Sequence, residues 1–362
     1  MIKAAQQWTF DALTPILDSI RKPKIFVPCG FSGLFNPEYA GYFRKMPDWL
    51  RKFDRLIFYA TNYRDINMAR EHGIDWISII PNGADEREFQ VDRDPGFRAR
   101  NGIAADAFVI LTVGTLTGFK GHLELAHAFE QCDFSGRRAC LILNGNTPRP
   151  SGSKLGLRAR VDALFAGAAA MHKRGGPFQV AKWLCWPVLV RLGLGPSLQR
   201  LGYGLNTGSA RAPTLKDVVR RINALPNRQA MLSDFARPEL IQAYLASDLF
   251  VFASKIEYSP LVLYEAAAAG LPFLTAPVGN AAEIAEWTGA GVVYPATIDA
   301  DGHTQVDVHE LAAHISRLAR EPGTLARLGE IGRRNWEAQF TWDRISRLYE
   351  AVFEECLEKV ET

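Results

Sequence analysis

The chain has 362 residues, more than one compact core ordinarily holds, so two domains are expected. Hydrophobic residues make up 48% and charged residues 22%, which excludes a disordered chain. Five cysteines without a CxxC pair, no secretory leader in the opening residues and no membrane-spanning apolar run point to a cytoplasmic protein with free thiols.

The predicted elements begin with a strand over Lys24–Pro28 that ends in the turn Cys29-Gly30-Phe31-Ser32-Gly33. A second strand covers Arg55–Ala60. Asn62 is the expected cap of a helix that Gly73 terminates, and a third strand over Trp76–Ile80 stops at Pro81-Asn82-Gly83. The rhythm restarts with a strand at Phe108–Val113, a Gly- and Thr-rich loop, a helix from about Gly121 to Gln131, and a strand at Ala139–Leu143. After residue 213 it resumes. A helix opens at Thr214-x-x-Asp217, followed by strand Gln229–Leu232, helix Pro238–Ala246, strand Leu249–Ala253, helix Pro260–Ala269 and strand Phe273–Ala276. Continuous apolar strands between helices predict parallel sheets covered on both faces, in a doubly wound α/β arrangement.

Between Thr147 and Pro213 lie ten Lys or Arg and one acid, Asp162, so this segment carries +9 and the rest of the chain −6. Leu157, Val161, Leu164, Phe165 and Ala168 form one helical stripe there. Lys182 to Arg191 sets Trp183 and Trp186 in a short apolar run between two cations, which suits a membrane interface. A helical hairpin packed on the domain, with solvated arginines, is the alternative. No nucleic-acid-binding motif accompanies the charge.

Two motifs carry chemistry. In Ser254 to Ala266 a strand delivers a loop with Glu257. Ser259 suits an N-cap and Pro260 the first helical position, so the amides of Leu261 and Val262 open a helix start that favours a phosphate. Glu265, in the second turn, is suited to accept two hydrogen bonds from a ribose; a solvated helical Glu is the plain alternative. The second motif runs Gly114-Thr115-Leu116-Thr117-Gly118-Phe119-Lys120-Gly121. Lys120 stands at a helix start, where the dipole disfavours a cation, so a neighbouring anion such as a diphosphate is indicated unless its ammonium swings into water. Both motifs fall at the carboxyl ends of strands, where open α/β sheets bind ligands.

Glu257 and Glu265 have the E-x7-E spacing of retaining glycosyltransferases, and the chain resembles glycosyltransferase family 4. Supporting matches are Ile80 to Asp85, Lys120-Gly121, Ala246 to Val251, Ala269 to Pro272, and Phe340-Thr341-Trp342. The resemblance implies two Rossmann-like domains of the GT-B type. An incomplete amino-terminal, acceptor-side domain would span 1–90. A nucleotide-sugar domain would span 91–341, with the basic insertion 147–213, and a helix from Trp342 would cross back to the first domain. It implies a donor site made by Gly114, Thr115, Lys120, Glu257, Ser259, Leu261, Val262 and Glu265. Lys120 would bind the diphosphate, Glu265 the ribose, and Glu257 the sugar and phosphates, with Lys120 and Glu257 the catalytic pair. Gly279, Asn280 and Glu283 match the next Gly-rich turn. Neither cofactor nor metal is implied, and the partners would be a nucleotide-sugar, a glycan or lipid-linked acceptor, and an anionic membrane surface.

Three departures stand out. The family often has an arginine before the lysine, where Thr115 and its neighbours stand. The first domain enters midway through the family's sheet. Cys29 occupies the place of a functional histidine, and a buried structural thiol is expected there. A non-catalytic nucleotide-sugar-binding protein or another enzyme on the same architecture, such as an epimerase, is the competing expectation.

Overall fold

Two parallel sheets form, and the reason lies in strands whose residues are apolar on both faces. The computed structural model describes residues 1–146, 213–299 and 301–361. The first sheet has the order β1-β2-β3-β4, from β1 (Ile2–Lys3), β2 (Ile25–Val27), β3 (Arg55–Phe58) and β4 (Ile77–Ile79), all parallel. Helices α1 (Trp8–Leu13), α2 (Ala40–Leu50) and α3 (Arg64–Glu71) lie among these strands in sequence. The short α4 (Phe97–Arg100) leads to the second sheet.

That sheet takes β5 (Phe108–Val113), β6 (Ala139–Asn144), β7 (Arg228–Ser233), β8 (Leu249–Phe252), β9 (Phe273–Thr275) and β10 (Gly291–Val293) in the order β10-β9-β8-β5-β6-β7. The chain builds outward from β5 through β7, then returns to β8 on the other side of β5. This is the Rossmann order, and the reversal between β5 and β8 creates a crevice at their carboxyl ends. Period-two alternation divides the residues of each strand between two layers. Val109, Leu111, Cys140, Ile142, Phe250 and Phe252 pack against α7 (Arg237–Ala246), α8 (Leu261–Ala268) and α11 (Pro322–Gln339). Phe108, Ile110, Leu141, Leu143, Leu249 and Val251 face α5 (His122–Gln131), α6 (Leu215–Ile222) and α10 (Val308–Ala319). α9 (Ala281–Thr288) follows β9, and a small antiparallel hairpin, β11 (Thr297–Ile298) with β12 (Thr304–Gln305), follows β10.

The first sheet is covered on one face by Phe10, Phe43, Met46, Leu50, Ile66 and Ala69. Its other face, with Ile25, Val27, Ile57 and Tyr59, is covered by Ile345, Val352 and Cys356 of α12 (Trp342–Glu361). Without that last helix the face would be an apolar surface in water.

Local expectations need two corrections. Asn62 does not cap α3. The helix starts at Arg64 behind Tyr63 without a side-chain cap, and the Asn62 side chain bonds Asn67 instead. Ser259 is not the cap of α8. The helix starts one residue later, with Pro260 at the cap position in extended backbone, and the Ser259 carbonyl accepts from Asn82 Nδ2 at 3.1 Å. The basic segment 147–213, bar its last residue, lies outside the described residues, and with it the expected hairpin or membrane face.

Candidate functional site

Lys120 and Glu257 come from the two strands that flank the reversal, and their side chains meet in an ion pair at the crevice. Backbone contacts fix that meeting. Lys255 N donates to the Phe119 carbonyl at 2.8 Å, and Ser254 Oγ to the same oxygen at 3.2 Å. Gly121 has φ +71, and a Cβ there would lie 1.9 Å from the Ala253 carbonyl oxygen, so only glycine allows the loop after β5 to approach the end of β8 this closely. The anion beside Lys120 is therefore Glu257, the carboxylate of the first motif. Gly114 lies against the Lys120 stem: a Cβ on it would be 3.1 Å from Lys120 Cγ.

Leu261 and Val262 open α8, Leu261 exposed and Val262 half-buried. Glu265 is engaged by protein. Arg237 reaches its Oε1 at 2.8 Å, and the Tyr244 hydroxyl donates to its Oε2 at 2.9 Å. Glu88 accepts from Nε of the same guanidinium at 2.9 Å and shares its Nη2 with Glu265. The buried Tyr244 hydroxyl is kept far above its ordinary pKa, by desolvation first and by Glu265 second. Arg237 and Tyr244 carry no motif in the sequence; only the fold brings them to Glu265.

Gly279, at φ +57, lets the turn before α9 pass within reach of the Tyr258 carbonyl, where a Cβ would sit 2.3 Å away. Asn280 N donates to that carbonyl at 2.8 Å, and Asn280 Nδ2 donates to Tyr59 O at 2.9 Å. Glu283 accepts from Thr61 Oγ1 at 2.6 Å and from the amides of Thr61 and Asn62. Asn280 and Glu283 thus tie the second sheet's turn to the first sheet.

Tyr258 enters the first half of the chain. Its ring lies 4.9 Å from Tyr63 and 5.5 Å from Tyr59, and its hydroxyl accepts from Tyr59 N at 3.1 Å. Asp65 lies fully buried beneath, accepting from Gly30 N at 2.8 Å, and burial raises its carboxyl to about 6. Behind Lys120, burial pushes the His122 imidazole down to about 4. Cys29 is half-buried rather than buried, at φ 60, with its thiol pKa raised chiefly by desolvation.

A cavity of about 300 Å3 opens between Glu257, Lys255 and Gly279 on one side and Asn62, Arg64 and Phe35 on the other. Among the described residues, Asp299, Asp301 and His303 on the β11–β12 hairpin form the one group whose metal-ligating atoms lie within 4.8 Å of one another. Asp299 is already the acceptor for the amides of Asp301 and His303, which lower its pKa. No described helix is long and apolar enough to cross a membrane.

Residues 220–335 match the family model described as Glycosyl transferases group 1. The D-inositol 3-phosphate glycosyltransferase of Streptomyces bingchenggensis is 25% identical over 307 residues, 84% of this chain and 53% of that protein. The MMP alpha-(1->4)-mannosyltransferase of Mycolicibacterium hassiacum is 30% identical over 130 residues, 35% of this chain and 29% of that protein. The chain spans about half the length of the first of these, 53%. Among solved structures, HepE of Anabaena in complex with UDP superposes with a TM-score of 0.62 at 17% identity, covering 98% of this chain and 78% of that one. Sucrose-phosphate synthase of Thermosynechococcus elongatus gives 0.55 at 21% identity, over 91% and 68%. The fold is accordingly α/β with two Rossmann-like halves, of the GT-B type. Residues 220–335 are thus similar to a group 1 glycosyltransferase domain.

Proposed function

We propose that the crevice binds a nucleotide-sugar and that the protein transfers its sugar to a glycan or lipid-linked acceptor, with retention, as a member of glycosyltransferase family 4. The observation that carries this reading is the convergence of Lys120 and Glu257 from the two strands flanking the reversal of the second sheet. An arriving diphosphate takes the Lys120 ammonium from Glu257. The freed carboxylate then faces the sugar hydroxyls, and the start of α8 with its amides receives the phosphates. As the glycosidic bond to the diphosphate breaks, negative charge grows on the leaving oxygen, and Lys120 with the helix amides stabilises it without requiring a metal. Gly114 and Thr115 border the diphosphate, Ser259 the sugar, and Glu265, oriented by Arg237 and Tyr244, the ribose. The basic segment 147–213 holds the protein on the inner face of an anionic membrane, near a lipid-linked acceptor for polysaccharide synthesis.

HepE was solved with UDP and with UDP-glucose, which makes uridine nucleotides the first to try. The test is calorimetric titration of the protein with UDP-, GDP- and ADP-sugars, followed by assay for nucleotide release and sugar transfer. One donor is expected to bind and to be turned over. Failure of every donor to bind overturns the reading. Binding with neither hydrolysis nor transfer leaves a nucleotide-sugar-binding protein.

A further inference from the structure

The cavity beside Glu257 has an uncompensated positive charge. Three charged residues line it, Arg64, Lys255 and Glu257. Lys255 is paired with Glu124 at 2.6 Å, and Glu257 with Lys120. Arg64 has no acidic partner among the described residues. It is also the first residue of α3, the helix end where the dipole disfavours a cation. Yet the guanidinium is held in place. It lies 4.7 Å from the centre of the Phe35 ring and 5.4 Å from that of Tyr63, and one nitrogen donates to the Gly302 carbonyl at 2.7 Å. Stacking and one carbonyl bond fix the plane and leave further N–H donors of the fork for a ligand. A bidentate anion would satisfy both the charge and the donors.

We propose that this cavity is a subsite for a sugar bearing a carboxylate or phosphate, with Arg64 as the residue that selects the charged group. The proposal rests on the transferase reading above and narrows it: one of the two substrates is an acidic or phosphorylated sugar. The guanidinium belongs to the first half of the chain, while Glu257 and Gly279 belong to the second, so the anion would sit where the two substrates meet.

The test first identifies the nucleotide that wild-type protein binds among UDP, GDP and ADP. One arm then compares the glucose and glucuronate forms of that nucleotide-sugar. The other compares glucose, glucuronate and glucose 6-phosphate in the presence of the nucleotide. Each is measured with wild type, Arg64→Lys and Arg64→Gln, after circular dichroism has shown that the variants are folded. In one arm a charged sugar is expected to bind at least about tenfold more tightly than its neutral counterpart. Arg64→Gln is expected to abolish that preference, and Arg64→Lys to keep part of it. The arm that responds tells donor from acceptor. A preference that survives Arg64→Gln, or no preference in either arm, overturns the proposal while leaving the transferase reading in place. Absence of nucleotide binding to wild type sinks the transferase reading itself, and this proposal with it.

Discussion

At the residue scale the ion pair between Lys120 and Glu257 sets what each side chain does alone. If Lys120 acts mainly on the leaving diphosphate, Lys120→Ala lowers turnover by about 10²–10³-fold and donor affinity by much less. Steady-state kinetics with direct titration separates the two effects, and wild-type turnover would remove Lys120 from the reaction. A second pair of residues makes opposing contributions to stability. Asp65 has a folded pKa of about 6 against an ordinary 3.8, so the stability it adds is full below about 3.8 and is lost as pH rises through about 6. His122 has a folded pKa of about 4 against 6.5, so its contribution is present above about 6.5 and is lost as pH falls through about 4. At about 1.4 kcal/mol per pH unit, each amounts to roughly 3 kcal/mol and the two largely cancel. Asp65→Asn is therefore expected to gain stability relative to wild type as pH rises from about 4 to 6, because it lacks that loss. His122→Gln is expected to lose stability relative to wild type over nearly the same interval. Thermal midpoints across that range, taken as variant minus wild type, check both signs.

At the element scale, loop geometry decides whether two strand ends make a site. Gly121 and Gly118 both have positive φ, +71 and +84, but only Gly121 faces backbone at 1.9 Å, while nothing lies within 4 Å of a Cβ on Gly118. Gly118→Ala should cost about 1 kcal/mol for left-handed backbone alone. Gly121→Ala should cost more than about 2 kcal/mol, because the loop must also move off the end of β8. Urea unfolding of both variants isolates the close approach, and equal losses would mean that it does not matter. The strands themselves were readable in the sequence, since runs such as Phe108–Val113 and Leu249–Phe252 are apolar on both faces. Lys120 and Glu257 were readable too, because each follows such a strand within a loop of distinctive composition. Arg237, Tyr244 and Arg64 were not. Each acts through a partner far away in sequence: Arg237 through Glu265, Tyr244 through Glu265, and Arg64 through Phe35 and Gly302. The one-residue shift at Ser259 and the uncapped start of α3 have the same origin. Cap preferences describe isolated helices, whereas here Asn82 and Tyr63 take part in contacts between the two sheets.

At the scale of the whole molecule, the two sheets are joined by more than the chain between them. Glu283 holds Thr61 and Asn62, Asn280 holds Tyr59, and α12 returns from the second half to cover Ile25, Val27 and Ile57. β6 and β7 pair in parallel from Ala139 with Arg228 to Asn144 with Ser233, and α6, which crosses between them, buries Val218 and Ile222 in the core. A crossover of this kind ordinarily needs only about 2–6 residues between strand and helix. Replacing 147–213 by a short Gly/Ser linker should therefore leave the thermal midpoint and nucleotide affinity nearly unchanged. Binding to anionic vesicles should be lost. On the proposed reading, such binding would draw on about 1 kcal/mol for each basic residue near the surface, and on Trp183 and Trp186 if they enter the headgroup region. Ten cations cannot all face the lipid together, so the sum is smaller than their count suggests. Co-sedimentation with vesicles containing phosphatidylserine, at rising salt, measures this directly. Intact binding after the deletion, or binding indifferent to salt in the full chain, would show that the membrane contact lies elsewhere or is not electrostatic.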